Sequence, residues 1–271
     1  MNAEKELIAA TVPASEHSVM CAGGKEDEFL TFKRFITELY PEGFVSIVSD
    51  TWDLWQVVTD FIPRLKDEIL SRNGRVVIRP DSGDPVDIIC GFDSEQAWLH
   101  GVEDDSPEAK GVYQVLWETF GGTINEKGYK VLDSHVGVIY GDSITLERQK
   151  EIYRRLEEKG FAATNLVLGC GSYSLQLRTR DSLGFAMKAT WCQVNGEPRE
   201  IFKQPKTDSG MKNSLKGLIR VSKDMTGTYF AVDCVSKKDE DMGCLEPVFK
   251  DGKLMKETSI SEIRERLCKT L

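Results

Sequence analysis

Histidine is the scarcest reactive side chain in this sequence, with three in 271 residues. That argues against the usual metal centre built on two or three imidazoles. Paired cysteines are missing as well. The seven cysteines, Cys21, Cys90, Cys170, Cys192, Cys234, Cys244 and Cys268, are scattered, odd in number and contain no CxxC. Reduced thiols are therefore expected rather than a disulfide framework or a zinc site. No apolar run approaches the roughly 20 residues that cross a bilayer, so no membrane partner is expected. The opening MNAEKELIAATVPAS lacks a secretory signal pattern, and a cytoplasmic location is expected. Positive charge is also short. Lys and Arg number 35 against 44 Asp and Glu, a net charge of −9. Such a surface disfavours a nucleic-acid partner, while a local cationic pocket stays possible.

What is present is a repeated unit of strand, polar residue and helix. FVSIVSD (44–50), RVVIRPD (75–81), HVGVIYGD (135–142) and NLVLGCGS (165–172) are short β-favouring runs that end in charged residues or glycine. TVPAS (11–15) is a shorter apolar entry ending at Glu16 and His17. Between the runs lie helical patterns. EDEFLTFKRFITEL spaces Phe29, Phe32, Phe35, Ile36 and Leu39 on one face, and SITLERQKEIYRRLEEKG closes at Gly160. Pro63 interrupts the helix after Asp50, and Asp84-Pro85 opens the next one. Residues 91–130 read as an exposed helical excursion, and FAMKATWCQV (185–194) as a further strand. From about residue 195 the character changes to a basic loop over 203–217, short antiparallel strands with a turn at Asp251-Gly252, and a capped terminal helix. The expected organisation is α/β, a parallel sheet or barrel over 1–194, followed by a small antiparallel part over 195–271.

In parallel α/β folds ligands gather at the carboxyl ends of the strands. Those ends supply Glu16/His17, Asp50, Arg79/Asp81 and Gly141/Asp142, with glycines again at 169–171. Alternation along a strand sends Arg79 and Asp81 to the same side. Glycines entering a helix let backbone N–H groups approach an anion, and Arg178 and Arg180 follow. Carboxylates beside a phosphate require Mg²⁺ or sugar hydroxyls between them, which points to a phosphorylated sugar. Plainer roles stand beside these. Asp50 and Asp142 fit as helix caps, Arg79–Asp81 as a structural ion pair, His17 as a surface histidine, and GCGS as an ordinary turn.

TVPASEHS, VSIVSDTWD, VVIRPDSGDP, KGYKVL, VIYGDSI and LQLRTRD occur in this order, and together they closely resemble the nicotinamide phosphoribosyltransferases. The resemblance runs from about residue 11 to EIRERL near the end. It implies part of an irregular type II phosphoribosyltransferase α/β barrel. It also implies the joining of nicotinamide to 5-phosphoribosyl 1-pyrophosphate, with Mg²⁺, to give nicotinamide mononucleotide and pyrophosphate. Carried over motif by motif, His17 and Asp81 are the catalytic pair, with His17 phosphorylated when ATP hydrolysis is coupled. Arg79 contacts the nicotinamide amide, Asp81 the ribose side, and Asp50 and Asp142 the ribose hydroxyls or Mg²⁺-bound water. Gly141, Gly171 and Arg180 bind the 5-phosphate. Tyr173 stands where the family continues a glycine run. About the first half of the family chain, with an aromatic that stacks on nicotinamide and an aspartate that reads its amide, has no counterpart here. A homodimer or complementation by that half is therefore expected. Nicotinate phosphoribosyltransferase and a non-catalytic or split-gene remnant are the alternatives.

Overall fold

The computed structural model describes residues 12–169, 171, 178, 182, 187–204, 206 and 214–268. The chain divides into two compact units, Met1–Ser214 and Leu215–Leu271.

In the first unit, β1 (Gly43–Val48), β2 (Gly74–Arg79), β5 (Val136–Tyr140) and β6 (Leu166–Leu168) form a parallel sheet in that order. Val45 to Val48 are buried without a break, as are Val76, Val77 and Ile78. Consecutive buried residues on a strand mean that both faces of the sheet are covered. The strands start close together, and a Cβ on Gly74 would lie 2.1 Å from the Gly43 carbonyl oxygen. Pro13 to Ser15 add a rudimentary parallel edge. Ser46 N donates to Pro13 O at 2.8 Å, Ser15 N donates to Ser46 O at 2.9 Å, and Ala14 bridges Ser46.

The crossover helices cover this sheet. Glu28–Arg34 runs on into a π turn over Phe35–Leu39 and buries Phe32, Phe35 and Ile36 as the spacing predicts, while Leu39 of the same set is exposed. Its carboxyl end meets the buried Arg72 guanidinium, which donates to the carbonyls of Ile36, Tyr40 (2.6 Å) and Gly43 (3.1 Å). The helix after β1 begins at Leu54–Gln56 and widens to a π turn at Val57–Phe61 before continuing at Ile62–Arg64. Pro63 has no N–H to give to the preceding turn, and the wider turn accommodates its ring.

Residues 91–130 depart from the expected exposed excursion. They form helices Ser94–His100, Pro107–Lys110 and Val112–Phe120, then a hairpin of β3 (Gly122–Ile124) and β4 (Lys130–Leu132). Trp98 is 79% exposed, but Val112, Tyr113 and Leu116 are buried in the main core. A crossover between parallel neighbours β2 and β5 needs a helix lying on the sheet, and VYQVLWETF provides its apolar face. Leu146–Glu158 is the next crossover helix, followed by Gly160 at φ 74°.

The antiparallel hairpin β7 (Trp191–Val194) and β8 (Glu197–Glu200) belongs to the first unit. Beyond it Ile201 packs with Cys21 and Trp52. The unit thus extends further than the compositional change near residue 195.

The second unit holds two hairpins, β9 (Arg220–Lys223) with β10 (Tyr229–Val232) and β11 (Phe249–Lys250) with β12 (Lys253–Leu254). Asp251 and Gly252, at φ 50° and 78°, make the tight turn of the latter. Helix Ile260–Cys268 ends the described chain. It starts in a capping box, in which Glu262 N donates to Ser259 Oγ at 3.2 Å and Ser259 N to Glu262 Oε2 at 2.6 Å. Among the described residues no helix is long and apolar enough to cross a membrane.

Candidate active site

The edge segment Pro13–Ser15 fixes where His17 sits. Val48 N donates to Ser15 Oγ at 2.9 Å, tying the segment to the end of β1. Helix His17–Gly23 starts there, so its first side chain lies over the carboxyl ends of β1 and β2. His17 Nε2 is 3.2 Å from Asp81 Oδ2 and 3.8 Å from Asp50 Oδ1, and its Nδ1 is 3.1 Å from Thr51 Oγ1. Asp81 N donates to Asp50 Oδ2 at 3.0 Å, joining the two strand ends directly. Asp50 is 1% exposed, and its Oδ1 is buried with no hydrogen-bond partner. A carboxylate oxygen in that state is costly unless a ligand, water or cation satisfies it.

Arg79 and Asp81 both reach the His17 segment. Arg79 Nη2 lies 3.5 Å from Glu16 Oε1, whereas Asp81 faces His17. The cap reading of the two aspartates fails. Asp53, not Asp50, caps the helix at 54, accepting from Gln56 N at 3.3 Å. Thr145, not Asp142, caps the helix at 146, accepting from Arg148 N at 3.3 Å. Neither strand-end carboxylate is therefore spent on a helix cap. Tyr140, the last residue of β5, lies near both. Burial first, and then the carboxylates of Asp50, Asp142, Asp81 and Asp84, push its hydroxyl far above the ordinary phenol range. That hydroxyl donates to Gly83 O at 3.0 Å.

The glycine tips converge too. Gly169 N donates to Tyr140 O at 2.8 Å, and a Cβ on Gly169 would fall 2.6 Å from Gly141 Cα. A Cβ on Gly141 would meet nothing within 4 Å, and one on Gly171 would lie 3.8 Å from Gly141 O. Gly141 and Gly171 are thus adjacent, with open space beside Gly141. Arg180 lies outside the described residues, as does Tyr173.

Two contributors escape the sequence reading. Thr51 directly follows Asp50 and was legible as a polar residue at a strand end. Lys203 carried no such signal. It falls in the stretch expected to be a surface loop, yet its Nζ stands 3.5 Å from His17 Nε2 and 3.7 Å from Asp81 Oδ2. Cys21 Sγ donates to Phe202 O at 2.9 Å and helps hold this segment in place. A cavity of about 270 Å³ opens here, lined among others by Glu16, His17, Asp81, Lys188 and Lys203. Burial pushes the Cys21 thiol up to about 11 and the Cys90 thiol to about 12, so neither supplies a thiolate nucleophile at neutral pH. No group of three or more His, Cys, Asp or Glu disposed to hold a metal ion occurs among the described residues.

A sequence profile of the nicotinate phosphoribosyltransferase (NAPRTase) family matches residues 3–253. The curated nicotinamide phosphoribosyltransferase of Acinetobacter baylyi is 52% identical over 271 residues, 98% of this chain and 52% of that protein. Its namesake in Mycoplasma pneumoniae is 41% identical over 78% of this chain and 45% of its own length. That of Xanthomonas campestris pv. campestris is 33% identical over 94% of this chain and 51% of its own. The chain spans about half the length of the curated relatives it matches.

Proposed function

The chain belongs to the nicotinate phosphoribosyltransferase family, and from that premise we propose that it carries the phosphoribosyl-handling half of a nicotinamide phosphoribosyltransferase. The reaction breaks the bond between ribose C1 and pyrophosphate in 5-phosphoribosyl 1-pyrophosphate and joins C1 to the ring nitrogen of nicotinamide. The observation that carries this reading is the meeting of His17, Asp50 and Asp81 at one rim, with Gly141 and Gly171 at neighbouring strand ends. The names of the relatives favour nicotinamide over nicotinate as acceptor.

The residue types suit the chemistry. Departure of pyrophosphate builds positive charge on the ribose, which nearby carboxylates stabilise. Asp81 serves the ribose side, and Asp50 and Asp142 accept from ribose hydroxyls or water. The glycine tips and Arg180 receive the 5-phosphate, and Arg79 turns to the nicotinamide amide. The pyridine nitrogen carries no proton, so no general base is needed and positioning dominates. Mg²⁺ would be held at this rim by the substrate phosphates, with Asp50 and Asp142 reaching it through its bound water. The unsatisfied Asp50 Oδ1 supports that fit. When bound, the ion neutralises charge on the departing pyrophosphate.

His17 is the proposed acceptor of the γ-phosphoryl group of ATP, with release of ADP. Attack by Nε2 needs the imidazole proton on Nδ1, donated to Thr51 Oγ1, in place of an Nε2–H facing Asp81 Oδ2 at 3.2 Å. The Lys203 ammonium beside Nε2 then offsets the repulsion between a phosphoryl group and Asp81.

The aromatic and the aspartate that hold nicotinamide in the family lie in the half of the relatives that this chain does not span. Turnover by these 271 residues is therefore expected to need that half. The test is mononucleotide formation by the 271-residue chain, alone and co-expressed with the unmatched segment of the Acinetobacter relative. Nicotinamide and nicotinate are compared as acceptors. Product only from the pair, and mainly from nicotinamide, is expected. Robust turnover by the chain alone refutes the requirement, and a stable pair that makes no product refutes the function.

A further inference from the structure

Two of the scattered cysteines are brought together beside the site. Cys21, on the helix His17–Gly23, is buried with Trp52 and Ile201, and Cys192 of β7 packs against the same small cluster. The pairing of β7 with β8 explains why. Cys192 stands opposite Arg199, and directly opposed residues of an antiparallel pair share a face. On that face the Arg199 guanidinium donates to the carbonyl oxygen of Ala22, the residue after Cys21. Cys192 is thus turned toward the end of the helix that carries Cys21. Burial first, and charge on Cys192 as a smaller cause, raises the Cys21 thiol to about 11. Such an effect falls off with distance, which sets the two sulfurs close.

We propose that Cys21 and Cys192 are a redox pair that hydrogen peroxide closes into a disulfide. Cys192, the less buried of the two, meets the oxidant first. Its sulfur attacks the peroxide, the O–O bond breaks, water leaves and a sulfenic acid forms. The Cys21 sulfur then attacks the sulfenic sulfur and the S–O bond breaks. The Cys21 proton passes to the departing hydroxide as water, so no standing thiolate is needed. Two thiols are oxidised, and one peroxide is reduced to two waters. A disulfide requires Cβ atoms about 3.5–4.5 Å apart. The hairpin can make that approach, because among the described residues β7 and β8 pair only with each other. Closure also takes from Cys21 the S–H that donates to Phe202 O, one residue before Lys203. The oxidation state of the pair thereby reaches the segment beside His17. Cys90 sits apart in the main core, and Cys234, Cys244 and Cys268 belong to the second unit. A reversible cross-link of this kind is the usual form of a disulfide in a reducing compartment. The inference does not rest on the proposed function.

The test treats the full 271-residue chain with hydrogen peroxide, blocks the remaining thiols with iodoacetamide and maps the peptides by mass spectrometry without reduction. A Cys21–Cys192 linked peptide is expected, two hydrogens lighter than its two parts, at least tenfold more abundant than any other cysteine pair and removed by dithiothreitol. In the urea-unfolded chain that selectivity should vanish. Cys192→Ser should leave Cys21 reduced, and Cys21→Ser should let Cys192 go on to the sulfinic acid, with hydrogen exchange in β1 and β2 unchanged in both variants. Absence of the linked peptide overturns the proposal. So does equal selectivity in urea, or sulfinic acid at Cys192 forming as fast in the parent as in Cys21→Ser.

Discussion

Asp81 Oδ2 and His17 Nε2 stand 3.2 Å apart, although 64 residues separate them in the chain. The contact is made by two independent devices. A backbone N–H of Asp81 is anchored on Asp50, and the serine before Glu16 is anchored on the end of β1. Geometry held through main-chain N–H groups is insensitive to conservative changes of side chain. Asp81→Asn should therefore keep the fold and the His17 position while removing the negative charge. In the co-expressed pair we expect mononucleotide formation to fall on the order of 100-fold, with little change in thermal midpoint. Activity within a factor of two of the parent would break the assignment of Asp81.

Lys203 gives a sharper separation of roles. Its ammonium lies beside both His17 and Asp81. Lys203→Met should reduce labelling of His17 by γ-labelled ATP at least tenfold. The ATP-independent rate with nicotinamide should change less, because that rate does not require a phosphoryl group on His17. Equal losses in both assays would show that Lys203 acts on the fold or on the ribose site. His17→Ala is the reference, with no labelling at all.

The parallel sheet was legible because its strands are apolar runs closed by charged or glycine ends, which is what burial on both faces requires. The clustering of His17, Asp50 and Asp81 followed from that topology. Two kinds of feature were not legible. Cap roles at Asp50 and Asp142 were plausible by residue type, yet Asp53 and Thr145 lie closer to their helices and take the N–H groups. Lys203 and Arg72 act on groups distant in sequence, and no local period announces such a contact. The core helix Val112–Phe120 was hidden for another reason. The acidic run Glu103-Asp104-Asp105 shares its segment and made the whole stretch read as surface.

Arg72 offers a stability test outside the site. It is 7% exposed, and it donates to the carbonyls of Ile36, Tyr40 and Gly43, which join the end of the π turn to the start of β1. Burial lowers its pKa, but the guanidinium stays charged at any working pH. Arg72→Met fills much of the volume and abandons three carbonyl acceptors, of which that of Ile36 is buried. At about 1–3 kcal/mol for a buried group left unsatisfied, the expected loss is roughly 2–4 kcal/mol in denaturant unfolding. Arg72→Lys should recover only part of it, since one ammonium cannot span the same three carbonyls. A loss under 0.5 kcal/mol for the methionine variant would mean that water replaces the guanidinium without cost.

Glu28 sets the pH dependence of stability. Its side chain is 3% exposed and Oε1 has no hydrogen-bond partner. Burial first, then the charge of Asp53, raises its carboxyl from 4.5 to about 8. The folded state therefore holds a proton that the unfolded state releases. Below about pH 4.5 both states are protonated and the contribution is fully present. As pH rises toward 8 the unfolded chain ionises first, and stability drains away by up to ~3–5 kcal/mol. Glu28→Gln keeps the shape of the neutral acid and cannot ionise. Urea unfolding of the parent should thus weaken from pH 5 to pH 8 more steeply than that of the variant, and the variant should be the more stable protein at pH 8. Parallel curves for the two proteins would show that Glu28 is already charged in the fold, stabilised by a partner at Oε1.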